Sequence, residues 1–411
     1  MSEQVTVENI WRHPPFLAYL GSTGFSGMAF AMQQLLLSWI LIGILLLPAD
    51  EVGLIQAAIG VPGIFLMLMG GASADRADPR NLLVAAYLLA PVFPLFLIVM
   101  DFEGRFDVWS VVIWGLGIGV VQAYSMPAQQ AILSRISGGS VQQAVTAATA
   151  IGFIVQVVGL GLAGQIDSVG ISAVLFCQAV VFMLAAWTML RVGRAAQDVP
   201  VAVGSRFQEI LGGLRATLDD RVIANVLGIN FVSSIFNAGS FMTVFPFVVK
   251  RVYDGDALIL SGLMAVFFAG AAVSNALLLR YMPLNRPGRL FLILQISRIL
   301  ILGLLFIEGD WWVLVVAVVM WGLNMGVTSN LARTIVQESA VPVYRGRILS
   351  VLSVSMIGSA PIGAIILGWL IESVGTLNAL VPAMLVSLLL FGYGVSFTRI
   401  WAYCSPSAEA H

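Results

Sequence analysis

Apolar residues run in long unbroken blocks along almost the whole chain, broken only by short clusters of charge, proline and glycine. A helix needs roughly 20 apolar residues to cross a bilayer. Blocks of that length fall at about 16–46, 50–73, 81–100, 108–131, 144–166, 169–190, 222–249, 257–281, 289–307, 311–332, 348–371 and 377–399. Membrane-spanning strands would be short and would alternate polar with apolar positions. These runs are continuous, so they predict helices, and the expected fold class is an all-α membrane protein with twelve transmembrane helices. The first block is long enough to extend past the membrane or to bend.

Composition agrees with the pattern. The 411 residues are 59% hydrophobic and 10% charged, with a mean hydropathy of +0.98. A soluble domain of this size could not bury so much apolar surface. A lipid bilayer is therefore the first expected partner. The net charge of −1 says little, because the placement of charge matters more than its sum.

That placement predicts an orientation. With the N-terminus in the cytoplasm, the inner loops and tails hold Arg12, Arg76, Arg80, Arg135, Arg191, Arg194, Arg206, Arg215, Arg221, Arg280, Arg286, Arg289, Arg333, Arg345, Arg347 and Arg399. The outer loops hold only Arg105, Lys250 and Arg251. Basic residues concentrate on the cytoplasmic side, so both termini are expected there. Asp50, Glu51, Asp101, Glu103, Asp107, Asp167, Asp254, Asp256, Glu308, Asp310 and Glu372 then fall outside.

Several function classes drop out. The opening MSEQVTVENIWRHPP lacks a basic n-region before a short apolar core, so the first span is expected to act as an uncleaved insertion signal. Cys177 and Cys404 sit in different environments, and no disulfide is expected. The two histidines, His13 and His411, are terminal, which leaves no histidine-based metal site or Ser-His triad within the membrane. Lys250 is the only lysine and there is no phosphate-binding loop, so ATP hydrolysis is not expected. The chain is not expected to be an enzyme, to carry a cofactor or metal, or to bind nucleic acid.

The longest connector, about Arg191 to Arg221, divides six spans from six. Phe207, Ile210, Leu211, Leu214 and Leu218 recur in it at helical spacing, predicting a short amphipathic helix on the inner surface. The expected organisation is an N-terminal bundle over 1–192, a linker over 193–221 and a C-terminal bundle over 222–411. Six spans, a basic connector and six more outline an internal duplication. Span 5 carries Gly152, Gly159, Gly161 and Gly164, and span 11 carries Gly358, Pro361, Gly363 and Gly368. Small residues at such spacing let helices approach closely, and a mid-span proline permits bending. Gly159, Gly164, Gly358, Pro361 and Gly363 are accordingly candidates for packing and gating; ordinary glycine enrichment in membrane helices is the bland alternative.

The loop after the second block reads Gly71-Ala-Ser-Ala-Asp75-Arg76-Ala-Asp78-Pro79-Arg80. It resembles the signature of the major facilitator superfamily, with Asp78 and Pro79 standing where a glycine and a basic residue are usual. Gly71 permits close approach of another helix, while Asp75 can cap a helix N-terminus or pair with a basic residue. The equivalent loop of the second half, Arg280 to Arg289, keeps arginines but no aspartate. Gly213–Arg221, Tyr344-Arg345-Gly-Arg347, the run from Gly358 to Gly363, and Met32-Gln33-Gln34 with Trp39 are similar to the enterobactin-exporter-like branch, also described as transmembrane secretion effectors. The resemblance covers essentially the whole chain. It implies two six-helix bundles around a central cavity and alternating access. It also implies export of a small amphipathic molecule, siderophore- or drug-like, across a bacterial cytoplasmic membrane by a monomer. Gly71, Asp75, Arg76, Arg80, Arg345 and Arg347 would form the conformational gate.

The spans that line the cavity of that fold should carry polar faces. Asn230, Ser234, Asn237 and Phe241 share one face of span 7, and Trp321, Asn324 and Thr328 one face of span 10. Span 4 offers Gln122, Ser125 and Gln129, and span 1 Ser22, Ser26 and Gln33. Neutral amides and hydroxyls beside aromatic rings suit a weakly charged ligand with ring portions. The same groups also serve as glue between helices. Arg298 is the one charged residue deep in a span; such an arginine costs roughly 2.5–3.5 kcal/mol on insertion scales and needs a partner or a role. The resemblance places span 9 at the periphery of the fold, so a structural bond to a carbonyl or amide on a neighbouring helix is the favoured expectation over a substrate contact.

No carboxylate lies in a span core, so a proton, the candidate coupling ion, would have to use Asp75 or acids near span ends such as Asp50 and Glu51. Uptake or facilitated diffusion is the alternative within transport. Outside it stand a non-transporting receptor or regulator and a lipid-modifying enzyme, although no convergent Asp, His or Cys cluster supports the last.

Overall fold

The computed structural model describes residues 14–76, 78–136, 141–193, 217, 220–282, 284–341 and 345–405. Among them, twelve helices are long and apolar enough to cross a membrane, and no strand occurs. The amphipathic helix expected over 207–218 falls outside the described residues except for Thr217.

Span 1 runs Pro14–Trp39 and continues through a π-helical turn, Ile40–Ile44. Span 2 is Ala49–Arg76. Span 3 begins at Pro79 after Asp78, whose carboxylate accepts from the Arg80 backbone N–H at 3.1 Å; a proline at the first helical position has no N–H to lose. It breaks between Leu89 and Val92. Pro91 and Pro94 account for the break, because each removes a donor from the helical ladder. Span 4 is Val108–Ile136, span 5 Val141–Ala163 and span 6 Ile171–Leu190. Gly164 lies in the turn that ends span 5 rather than within the helix, its N–H donating to the Leu160 carbonyl at 2.8 Å.

Span 7 starts at Arg221, capped by Asp220, which accepts from the N–H groups of Val222 and Ile223 at 2.8 and 3.1 Å. It runs to Gly239, passes through a π turn at Ser240–Val244 and a short α segment Phe245–Phe247, and ends in a second π turn at Val248–Val252. Spans 8 to 12 are Ala257–Tyr281, Pro287–Phe306, Trp311–Ser339, Arg345–Val374 and Leu380–Phe397. Spans 1 and 7 therefore both finish in a π turn, a geometry that leaves a carbonyl without its usual helical partner and recurs at functional positions.

The chain divides into two compact units. One comprises 1–37 and 62–203, the other 38–61 and 204–411. The expected division at the 193–221 connector is departed from in one place: the hairpin 38–61, which ends span 1 and begins span 2, packs with the second-half helices. Its turn holds Leu46 at φ 51, a left-handed conformation uncommon for a residue with a side chain.

Glycine makes two of the tightest helix contacts, and they repeat. Gly159 of span 5 lies against the backbone carbonyl of Met28 in span 1, and Gly363 of span 11 against that of Ile235 in span 7, each so close that a Cβ could not fit. Gly159 and Gly363 stand equally far from their helix starts, Val141 and Arg345, as Met28 and Ile235 do from Pro14 and Arg221. The same packing is thus built twice, as a duplicated chain requires.

Candidate functional site

Each half encloses a buried polar node at the same place. In the first unit, the Gln129 amide donates to the Tyr87 hydroxyl at 2.6 Å and to Ser26 Oγ at 3.2 Å, linking spans 1, 3 and 4. The Tyr19 hydroxyl donates to the Gln129 backbone carbonyl at 3.1 Å, and Ser125 is fully buried. In the second unit, Ser233 Oγ donates to Gln295 Oε1 at 2.8 Å, joining spans 7 and 9. Measured from the first residues of their spans, Ser26 matches Ser233, Tyr87 matches Gln295 and Ser125 matches Thr328.

Only the second node holds a charge. Arg298, 6% exposed, donates through Nε to Asn324 Oδ1 at 3.1 Å and through Nη1 to Gln295 Oε1 at 2.7 Å and to Ser233 Oγ. Among the described residues, no carboxylate pairs with it. The Asn324 amide donates to the Leu294 carbonyl at 2.8 Å and to Ser297 Oγ at 2.9 Å, while Thr328 Oγ donates to the Asn324 carbonyl at 2.7 Å. The position of Arg298 is therefore set by neutral acceptors on spans 7, 9 and 10.

The other polar positions divide into those engaged between helices and those facing open space. Trp321 Nε1 donates to Asn237 Oδ1 at 2.6 Å. Phe241 stacks on Phe267 with centroids 4.0 Å apart and meets Trp321 edge-on at 5.5 Å, so it packs spans 7, 8 and 10 together. Gln33 Oε1 accepts from the Gln178 amide at 3.1 Å. Ser234 and Asn237 are half-buried and Gln122 is exposed. An exposed amide in mid-span is too costly to face acyl chains and belongs toward water. Asn230 is buried, and its Nδ2 has no acceptor among the described residues.

Two clusters that the stripes on spans 7 and 10 do not reveal lie where the hairpin 38–61 meets spans 7 and 11. Glu372 Oε1 accepts from the Ala49 backbone N–H at 2.8 Å and from both terminal nitrogens of Arg251 at 3.0 Å. The carboxylate thus caps the first turn of span 2, where N–H groups lack helical partners and negative charge is favoured. One helical layer deeper, Gln56 Oε1 accepts from Thr243 Oγ at 2.8 Å, and Gln56 Nε2 donates to the Met242 carbonyl at 3.3 Å and to Ser38 Oγ at 3.4 Å. Met242 and Thr243 belong to the π turn of span 7, and the residue four places after Met242 is Pro246, which has no N–H to offer the carbonyl that Gln56 takes. Between these layers, Gly53 of span 2 and Gly368 of span 11 bring the two backbones into contact, and Gly60 lies against Pro361. In the sequence, Gln56 was visible only as a lone amide in an apolar run.

At the opposite ends of the helices, Arg80 donates through Nη2 to the Leu190 carbonyl at 2.6 Å and through Nε to the Val192 carbonyl. It closes the C-terminus of span 6, where a cation is favoured. The side chains of Asp75, Arg76, Arg345 and Arg347 and the surroundings of Gly71 lie outside what is described, and Gly358 is half-buried.

The sequence profile of the transmembrane secretion effector family matches residues 12–402. The chain belongs to this family, a branch of the major facilitator superfamily. No match was found among curated proteins. The fold is similar to that of the nucleoside transporter NupG, with a TM-score of 0.76 at 13% identity over 94% of this chain and 99% of that one. It is also similar to a bacterial homologue of the human lysosomal transporter Spinster in an inward-facing, unoccupied conformation (TM-score 0.74, 13% identity, 95% and 98% coverage). The peptide transporter POT follows with a TM-score of 0.72 at 12% identity over 94% and 95% of the two chains. At these identities the likeness is one of fold: a multi-pass membrane transporter of the major facilitator type.

Proposed function

We propose that the chain is a secondary active exporter of a small amphipathic molecule, working by alternating access in a bacterial cytoplasmic membrane with both termini inside. The description of its family as secretion effectors supports the direction. The excess of arginine on the side of the termini supports the orientation. The observation that carries the mechanism is the layered seal of Glu372, Ala49, Arg251, Gln56 and Thr243. In this orientation it is an external gate, held closed by a charged outer layer and an amide–hydroxyl inner one.

Such a gate opens by losing a handful of hydrogen bonds and separating glycine-lined surfaces. Its cost is small enough for cargo binding to offset. The cytoplasmic counterpart would be the loop of Gly71, Asp75 and Arg76 with Arg345 and Arg347. Ser234, Asn237 and Gln122 would face the cargo. A proton is the candidate coupling ion.

Accumulation of a panel of fluorescent amphiphiles in everted vesicles, with and without a pH gradient, tests the proposal. Export requires gradient-dependent accumulation in everted vesicles. Accumulation only in right-side-out vesicles would assign uptake, gradient-independent equilibration would assign a facilitator, and no movement of any compound would point to a receptor or regulator.

A further inference from the structure

The two buried nodes differ in one respect that packing does not explain. The first half joins spans 1, 3 and 4 with a serine, a tyrosine and a glutamine, all neutral. At the position equivalent to Arg298, counted from Pro79 and Pro287, the first half has Ala90. A neutral node is therefore sufficient to hold three such helices together. The second half uses the same place and adds a guanidinium with no carboxylate beside it among the described residues.

Donors are also in excess there. Gln295 Nε2 and Asn230 Nδ2 are both buried with no acceptor among the described residues. Gln295 cannot repair this by turning its amide over, because Oε1 already accepts from Arg298 Nη1 and Ser233 Oγ, and a flip would set donor against donor. Its Nε2 shares a carbon with that Oε1, so it lies within about 5 Å of the guanidinium. Asn230 stands one turn before Ser233 on the same face of span 7. The described bonds of Arg298 engage Nε and Nη1 and leave the Nη2 edge of the fork.

The two orphaned amides need an acceptor and the buried guanidinium needs negative charge, and a single anion meets both needs. We infer that Arg298, Gln295 and Asn230 form a binding site for a single monoanionic group. Arg298 supplies the charge, the two amides supply directed donors, and Asn324 and Ser233 hold the guanidinium in place. A planar carboxylate matches the fork of Arg298. The group is either the carboxylate of an amphipathic cargo or an inorganic monoanion such as chloride. Naming it as cargo rests on the transport reading; the existence of the site does not.

The test is anion-dependent thermal stabilisation of the purified full-length protein in a sulfate buffer. The probes are benzoate, its neutral isostere benzamide, and chloride. Saturable stabilisation by benzoate but not benzamide is expected. Stabilisation by chloride alone would assign the site to an inorganic ion. Arg298→Leu should abolish the response. Asn230→Leu keeps the charge and the fold if Arg298→Leu does not fold, and it should weaken binding about tenfold to a hundredfold. No saturable response to either anion in the wild-type protein would overturn the inference. So would a response unchanged in Arg298→Leu, or in Asn230→Leu should the first variant not fold. Because binding is read without transport, a protein that binds benzoate yet moves nothing would count against export and not against the site.

Discussion

Ser26 and Ser233 occupy the same place in the two halves of the chain, and each hydroxyl sits at the centre of a buried polar node. Their neighbours differ. Ser26 accepts from a neutral amide that also reaches Tyr87, whereas Ser233 accepts from a guanidinium and donates to the glutamine that same guanidinium holds. Ser26→Ala removes two neutral hydrogen bonds, one from the Gln129 amide and one to the Thr23 carbonyl, each worth about 0.5–1.5 kcal/mol. Ser233→Ala removes one bond from a buried guanidinium, worth about 1.5–3 kcal/mol, and one neutral bond to Gln295. Thermal unfolding of the two variants in detergent should place Ser233→Ala well below Ser26→Ala; equal losses would show that the charge on Arg298 adds nothing to the second node.

The repeated glycine contact predicts a matched pair of defects. A methyl group at Gly159 or Gly363 would collide with a backbone carbonyl, whereas the space beside Gly161 is open. Gly159→Ala and Gly363→Ala should each lower stability by about 1–3 kcal/mol through overpacking, and Gly161→Ala should leave the melting temperature near that of the wild type. A loss at Gly161 as large as at Gly159 would point to helix flexibility rather than close approach.

Glu372→Gln tests the seal. The Arg251–Glu372 pair is about two-fifths exposed, so it contributes only ~0.2–1 kcal/mol, and loss of the charge also weakens the cap on span 2. Opening should become a few-fold more frequent. The reporter is a cysteine at Ser38, introduced after Cys177 and Cys404 are replaced, and labelled by a membrane-impermeant maleimide added from outside. Labelling should quicken in Glu372→Gln, and a wild-type rate would mean that the inner layer of Gln56 and Thr243 sets the equilibrium alone.

The proposed cytoplasmic gate is tested at Asp75. Asp75→Asn keeps the shape and removes the charge, so transport should fall while expression stays near normal. An undiminished rate would reduce this aspartate to a turn residue.

Orientation is checked by reporters. Fusions after Asp78 and Arg206 should read as cytoplasmic and one after Asp254 as external.

Much of the fold was legible because lipid imposes a length: twelve apolar runs could be counted without knowing any contact. The glycine matches between spans 5 and 11 were also readable, since a duplication leaves its trace in spacing. The polar stripes were legible as faces and not as partners. Trp321, Asn237 and Asn324 share the faces that the 3.6-residue period assigns them, yet they spend their hydrogen bonds on neighbouring helices. Gln295 could have been picked out as the residue one turn before Arg298 on the same face. The seal could not, because the Ala49 N–H and the Glu372 carboxylate are 323 residues apart, and no local pattern announces that a backbone donor awaits a side chain from another span.

That separation sets an order of events during biogenesis. The hairpin 38–61 leaves the ribosome before the residues that complete it, Thr243, Arg251, Ala364 and Glu372, which arrive only as spans 7 and 11 are translated. At about 5–20 residues per second the Ala49 donor waits on the order of twenty to sixty seconds for its acceptor. Over that interval the tip of the hairpin has water or lipid headgroups as its partners, and the first unit can settle without it. Truncation before span 11 would leave that tip permanently unfinished, so quality control of the later spans can be exerted at a segment made well before them.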